Sequence, residues 1–257
     1  MGGQVEGKTA VVIGGASGIG WASARLLAQE GARVVIADID AAGAQLRVDE
    51  LATPATARRV DVTDEGSVQS LFEAAVSEFG SVEIMLNCAG INRPGYITEL
   101  GASDWKQTLD LCLTGSFFAI KHAGRVMGRG SSVISIASLN ARQPAAGFAG
   151  YCAAKAGLAM LTEVAALEFG ESGIRVNAIS PGLVETPLVT PLTSVPAIQS
   201  DFTDNTPLRR NGTPEDIARA VLYLGSDASS WTTGEVLDIN GGAHLRRYPD
   251  VMAHLSS

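Results

Sequence analysis

Thr9-Ala10-Val11-Val12-Ile13-Gly14-Gly15-Ala16-Ser17-Gly18-Ile19-Gly20 decides the fold of this 257-residue chain. The first five residues are β-rich, and a glycine cluster follows them at once. Trp21 to Glu30 then has helical composition, with Gly31 placed as a stop. Strand, glycine loop and helix in that order make a phosphate cradle. Backbone N–H groups and the positive helix N-terminus face the anion, and glycine lets the backbone approach a pyrophosphate closely. Gly14, Ser17, Gly18, Ile19 and Gly20 are the candidate cradle residues.

Val34-Val35-Ile36-Ala37-Asp38 predicts a second strand ending in an acid. Asp38 follows Gly18 by twenty positions, where a carboxylate accepts hydrogen bonds from an adenosine ribose and repels a 2′-phosphate. The loop has no Arg or Lys, and Ile39 follows Asp38. Both favour NAD over NADP. Strand patterns at 57–62, 82–86, 132–138, 175–179 and 235–239 alternate with helical ones at 41–51, 65–79, 103–126 and 151–169. Gly80 closes the 65–79 helix, and Ser103 is a candidate N-cap for one long helix. Thr213-Pro214 opens another helix with a cap and Pro at the first position. The alternation predicts a single α/β domain over 1–257: a doubly wound parallel sheet of about seven strands with helices on both faces. From 183 to 210 the periodicity fades and prolines collect at 187, 191, 196 and 207, as in a substrate loop or lid.

Tyr151-Cys152-Ala153-Ala154-Lys155 carries the second signal. Tyr151 and Lys155 are four apart and share one helix face. A free phenol is a poor base at neutral pH, and a neighbouring ammonium favours the phenolate. That suits general acid/base chemistry. Ser138 ends the apolar run Val133-Ile134-Ser135-Ile136-Ala137, where its hydroxyl could hold the oxygen of a reacting carbonyl or alcohol.

Composition bounds the alternatives. Hydrophobic residues are 46% and charged residues 18%, as in a packed globular chain. A net charge of −8 leaves no basic surplus for nucleic acid. No apolar stretch is long enough for a membrane span, and the first residues lack an apolar signal region. Cys88, Cys112 and Cys152 form no Cys-x-x-Cys pair and suit a reducing, cytoplasmic setting. His122, His244 and His254 lack metal-site spacing, so no metal is expected and each is read as a surface or packing residue.

These marks together resemble the short-chain dehydrogenase/reductase family, in its form of about 250 residues. They are the Gly14-x-x-x-Gly18-Ile19-Gly20 loop, Asp38, Asp61-Val62, Asn87-Cys88-Ala89-Gly90, Ser138, Tyr151-x-x-x-Lys155 and Pro181-Gly182 with Thr186. The resemblance covers nearly the whole chain. It implies reversible hydride transfer between NAD and a secondary alcohol or ketone. Tyr151 would be the acid/base, Lys155 its ammonium neighbour and a ribose ligand, and Ser138 the holder of the substrate oxygen. Asp61 and Val62 would contact the adenine, while Asn87, Ala89 and Gly90 border the cofactor. Pro181, Gly182, Val184 and Thr186 would meet the nicotinamide end. Leu139, Asn140, Phe148, Leu183, Leu188 and Val189 would line the substrate pocket. Their mostly apolar character favours a bulky apolar or alicyclic alcohol: a ring alcohol, terpenoid or steroid. A carbonyl or 3-oxoacyl reductase of the same fold is the alternative. A homotetramer is implied through helices 103–126 and 151–170, and the tail from His244 could cover a neighbour's site.

Three positions depart from the family pattern. Ile13 replaces a Thr before the loop, and Cys88 replaces the second Asn of Asn-Asn-Ala-Gly. Cys112 replaces an Asn that helps hold a water beside the lysine. Cysteine is a weak hydrogen-bonding group. Cys112 therefore predicts a proton relay that is weakened or carried by backbone and water, and a protein that at the extreme binds NAD with little turnover.

Overall fold

Seven short runs build the sheet: β1 (Thr9–Ile13), β2 (Arg33–Asp38), β3 (Ala55–Arg59), β4 (Ile84–Asn87), β5 (Ser132–Ile136), β6 (Arg175–Pro181) and β7 (Val236–Ile239). The structure, a computed structural model, describes residues 2–255. All strands are parallel, in the order β3-β2-β1-β4-β5-β6-β7. Every residue of β1, β4, β5 and β6 is buried, the mark of a parallel sheet covered on both faces.

Two apolar layers cover it. On one face α3 (Glu65–Phe79), α5 (Gly115–Val126) and α6 (Ala149–Phe169) pack Leu71, Phe72, Ala119 and Leu158 against Val11, Met85 and Val133. On the other, α1 (Gly18–Gln29), α2 (Ala41–Asp49) and α9 (Pro214–Gly225) set Leu27, Ala44, Ile217 and Val221 against Val12, Ile36 and Ile134. The order reverses between β1 and β4, so the carboxyl ends of the strands open a crevice there.

Helix termini follow local chemistry. Gly31 and Gly80 take φ of +91° and +85°, and Gly80 ends α3 as its left-handed C-cap. Thr213 and Asp216 form a reciprocal capping box at the start of α9, with Pro214 in the first turn.

Several boundaries differ from the sequence expectation. The third strand runs two or three residues earlier than 57–62, because the chain turns out at Val60 toward the site. The fifth ends at Ile136 rather than Ser138. The long helix begins as α4 (Ala102–Leu109) with Gly101, not Ser103, at its N-cap, and passes through a π-turn at Asp110–Thr114 into α5. The irregular stretch after 183 contains two short helices, α7 (Thr190–Thr193) and α8 (Pro196–Asp204). Each has a proline in its first turn, where the missing N–H costs nothing. The last element among the described residues is α10 (Val251–Leu255).

Candidate functional site

The carboxyl ends of β1, β2, β4, β5 and β6 border a cleft of about 750 Å³. Its floor is the glycine loop. Gly18 has φ +52°, and a Cβ on Gly20 would stand 2.0 Å from the Gly14 carbonyl oxygen, so both positions require glycine. Ser17 is the N-cap of α1, yet its side chain makes no capping bond, and the first turn of α1 holds no acid. The opening N–H groups of a twelve-residue helix are thereby left for an anion. Glycines where a Cβ would collide, an uncapped helix N-terminus and a long cleft together fit a dinucleotide.

Asp38 lines the cleft at the end of β2. Its Oδ2 accepts from Ala16 N (3.0 Å) and its Oδ1 from Asp40 N (3.1 Å), which fixes the carboxylate. Arg47 reaches the same loop, but donates to the Ala16 carbonyl (3.1 Å) and Glu50 (2.6 Å) and stacks over Trp21. Arg59 stands opposite Asp38 in the β2–β3 register. Asp61 accepts from the Thr63 hydroxyl (2.7 Å) and N–H (3.0 Å), which lower its carboxyl pKa.

Seventeen of the expected residues line this cleft: Gly14, Ser17, Gly18, Ile19 and Gly20; Asp38, Asp61 and Val62; Ala89, Gly90 and Ser138; Tyr151 and Lys155; Pro181, Gly182, Val184 and Thr186. Asn87 does not. It is 2% exposed, accepts from Ala89 N (3.1 Å) and donates to Ser116 Oγ (3.0 Å), so it shapes the loop from beneath.

Ser138 sits two residues beyond β5, where its Oγ accepts from Asn140 N (3.1 Å) and caps a 3₁₀ turn at Leu139–Ala141. Tyr151 and Lys155 lie in the first two turns of α6. The Lys155 ammonium is 3% exposed, donates to the Ile136 carbonyl (2.7 Å) and lies 5.6 Å from the Tyr151 ring centroid. Of its three donors, that bond uses one.

Cys112 is fully buried in the π-turn, and its sulfur both accepts from Ile91 N and donates to Ile91 O, each at 3.3 Å. A Cβ built on Gly90 would stand 3.7 Å from Lys155 Nζ and 3.9 Å from Cys112 Sγ, so the sulfur borders the lysine's surroundings. Burial pushes the Cys88 thiol up to about 12 and raises Cys152, which keeps both protonated. Among the described residues, no group of three or more His, Cys, Asp or Glu could hold a metal ion. No helix among them is long and apolar enough to cross a membrane.

A smaller pocket of about 100 Å³ adjoins the cleft and shares Ser138, Tyr151, Pro181, Gly182, Leu188 and Val189 with it. Leu139, Asn140, Phe148 and Leu183 line it as expected. The sequence reading missed Leu192 and Phe202 from the loop helices, and Arg247 and Tyr248 from the tail. The available signal was Tyr248-Pro249, an aromatic and a rigid residue followed by the apolar pair Val251-Met252.

A family model described as enoyl-(acyl carrier protein) reductase matches residues 14–244. A cis-4-hydroxycyclohexanecarboxylate dehydrogenase from Sinomonas cyclohexanicum is 40% identical over 250 residues, covering 94% of this chain and 98% of the relative. A mitochondrial borneol dehydrogenase from Lavandula x intermedia is 40% identical over 255 residues, covering 94% and 92%. A solved short-chain type dehydrogenase/reductase from Mycobacterium ulcerans superposes with a TM-score of 0.95 at 34% identity, covering 100% of this chain and 96% of that one. The chain belongs to the short-chain dehydrogenase/reductase family and is an oxidoreductase.

Proposed function

We propose that this protein is an NAD-dependent dehydrogenase that interconverts an alicyclic secondary alcohol and its ketone. One observation carries the reading. Ser138 and Tyr151 line both the dinucleotide-sized cleft and the pocket beside it, with the buried Lys155 ammonium next to the phenol. When bound, the nicotinamide supplies the hydride acceptor or donor.

The chain's own residues do the rest. Ser138 holds the substrate oxygen. Asn140 N donates to its Oγ, and the Ser138 proton has only a long 3.5 Å contact to Asn140 Oδ1, so it is free for that oxygen. Tyr151 takes the hydroxyl proton during oxidation and returns it during reduction. The Lys155 ammonium stabilises the phenolate in between and turns a further donor toward the nicotinamide ribose. The glycine loop with Ser17 and Ile19 would hold the pyrophosphate, Asp38 the adenosine ribose, and Asp61 and Val62 the adenine. Ala89 and Gly90 would border the nucleotide, and Pro181, Gly182, Val184 and Thr186 would hold its nicotinamide end.

The relatives act on ring alcohols by name, which supports the alicyclic substrate. The matching family description supports a second reading, an acyl-substrate reductase of the same fold, which we pair with NADPH. Asp38 and the small pocket beside the cleft count against it.

Nicotinamide absorbance with a panel of cyclic and linear alcohols and acyl thioesters, with NAD and NADP in parallel, tests the choice. Oxidation of ring alcohols with NAD is expected. Tyr151→Phe should lower kcat by about 10²–10⁴, the contribution of a positioned acid/base. Faster turnover of acyl thioesters with NADPH would establish the second reading instead. Silence with every substrate despite tight NADH binding would make the protein a cofactor-binding one.

A further inference from the structure

After β7 the chain turns at Gly241-Gly242 and runs back over the substrate side. Arg247 ion-pairs with Asp201 on α8, and Val251 is buried with Phe148, Ile198 and Phe202. Between these anchors the tail touches the two stretches that carry the candidate catalytic groups.

The first stretch is the turn after β5. Asn140 N donates to Ser138 Oγ (3.1 Å), and Asn140 Nδ2 donates to the Gln143 carbonyl (3.0 Å). The turn is then tied outward twice. Gln143 Nε2 donates to the Arg246 carbonyl of the tail, and Arg142 ion-pairs with Asp238 on β7. The second stretch is the start of α6. A Cβ on Gly147 would stand 2.4 Å from Met252 Cγ. Phe148 is the N-cap residue of α6, and its carbonyl accepts from Cys152 N (2.8 Å). Its ring meets the Tyr248 ring edge-on (centroids 6.2 Å apart, 67°), and Phe202 meets that ring likewise (5.6 Å, 87°).

Tyr248 joins the two stretches. Its hydroxyl accepts a hydrogen bond from the Asn140 side chain. Burial first, then the neighbouring Tyr151 phenol, raises its pKa, so it stays neutral while Tyr151 works. Ser138, Asn140, Tyr151 and Tyr248 line one pocket. A side-chain amide nitrogen has two hydrogens to place. Those of Asn140 go to the Gln143 carbonyl and the Tyr248 hydroxyl, which decides the face the amide turns to Ser138. Its Oδ1 is held 3.5 Å from Ser138 Oγ, too far for a strong bond. An amide released from Tyr248 could swing in, take the serine proton and compete with the substrate oxygen for it.

We propose that Tyr248 is a positioning residue: from the tail it fixes the Asn140 amide, and through it the Ser138 hydroxyl, relative to Tyr151. The proposal rests on the dehydrogenase reading above, in which Ser138 and Tyr151 act on the substrate oxygen.

A double-mutant cycle tests it, using the fastest alcohol of the panel above with NAD. Tyr248→Phe keeps the ring against Phe148 and Phe202 and removes only the hydroxyl. It should lower kcat about tenfold, the value of one buried hydrogen bond, and leave KM for NAD within about twofold of wild type. Ser138→Ala should lower kcat by roughly 10²–10³, as for loss of a donor to a reacting oxygen. In the Ser138→Ala background, Tyr248→Phe should have no further effect, because a residue that acts through the serine has nothing left to act on. A merely structural tyrosine would instead lower the melting temperature, raise KM for NAD, and add its loss to that of Ser138→Ala. If Tyr248→Phe does not fold, Asn140→Ala takes its place in the cycle with the same expectation, since it removes the contact from the other end. Full activity of the single variant, or losses that multiply, would overturn the proposal, while alcohol oxidation that depends on Tyr151 kept the dehydrogenase reading. If wild type oxidises no alcohol with either cofactor, the dehydrogenase reading falls, and this proposal with it.

Discussion

The two sides of the site are built differently. The cofactor side hangs on buried strand ends, and its main parts come from continuous stretches: 14–20 after β1, Asp38 at the end of β2 and 87–90 from the end of β4. Backbone hydrogen bonds fix it, as at Asp38. The substrate side is assembled from segments far apart in the chain, residues 139–148, 183–206 and 243–252. An aromatic cluster and the Asp201 ion pairs hold them. One side is local chemistry repeated on a rigid frame. The other exists only once the tail has folded back.

A cofactor-side change should therefore act sharply and locally. Asp38→Asn removes the charge that accepts from a ribose and repels a phosphate. A hydrogen bond to a charged group contributes about 1.5–3 kcal/mol, so the NAD-over-NADP preference in kcat/KM should fall roughly ten- to hundredfold. Arg59, opposite in the register, then has one acid fewer beside it, with Asp61 remaining. Steady-state kinetics with both cofactors check it, and an unchanged ratio would show that Asp38 does not read the ribose.

This contrast explains what the sequence made legible. The parallel sheet of about seven strands, the strand–glycine loop–helix order and the shared helix face of Tyr151 and Lys155 could be read because each depends on short spacings and on period. Asn87 was placed on the cleft wall but sits under it, since a side chain's direction at a strand end depends on the following turn. Pro191 and Pro196 read as breakers, yet they open α7 and α8: the same residue ends one helix and starts another, and only packing decides. Tyr248 was invisible as a wall residue, because its partners Phe148 and Phe202 are about 100 and 46 positions away in sequence.

Cys112 tests how rigid the cofactor side is. The expectation of a weakened relay came from the residue type alone. In the fold its sulfur clasps both polar groups of the Ile91 peptide. Cys112→Ala leaves that peptide unpaired beside a new void, at a cost of about 2 kcal/mol. For a chain of this size the melting temperature should fall by roughly 4–8 °C, with Cys112→Ser, which keeps a donor and an acceptor, losing less. Calorimetry decides it. An alanine variant as stable as wild type would mean that the clasp holds nothing.

The smallest effect is expected where the two sides are tied together. Arg210, at the end of the substrate loop, donates to both carboxylate oxygens of Asp216 (2.6 and 3.1 Å), inside the capping box of α9, which shares a layer with α1, the helix of the glycine loop. The Arg210 bond, then the Thr213 N–H, lower the Asp216 pKa from 3.8 to about 2. A depressed carboxylate stabilises the fold fully above its unfolded value and loses that contribution as pH falls through its folded value. Asp216→Asn keeps an acceptor for Thr213 but removes the charge. Because Arg210 is more than half exposed, the ion pair is discounted for screening, and the cost at neutral pH is about 1 kcal/mol or less. Thermal melts should put the variant roughly 2–4 °C below wild type at pH 7, and the two curves should converge as pH drops from about 4 toward 2. A gap that stays constant through that window would locate the loss in the cap geometry rather than in the charge, and the tie between the two sides would then be steric.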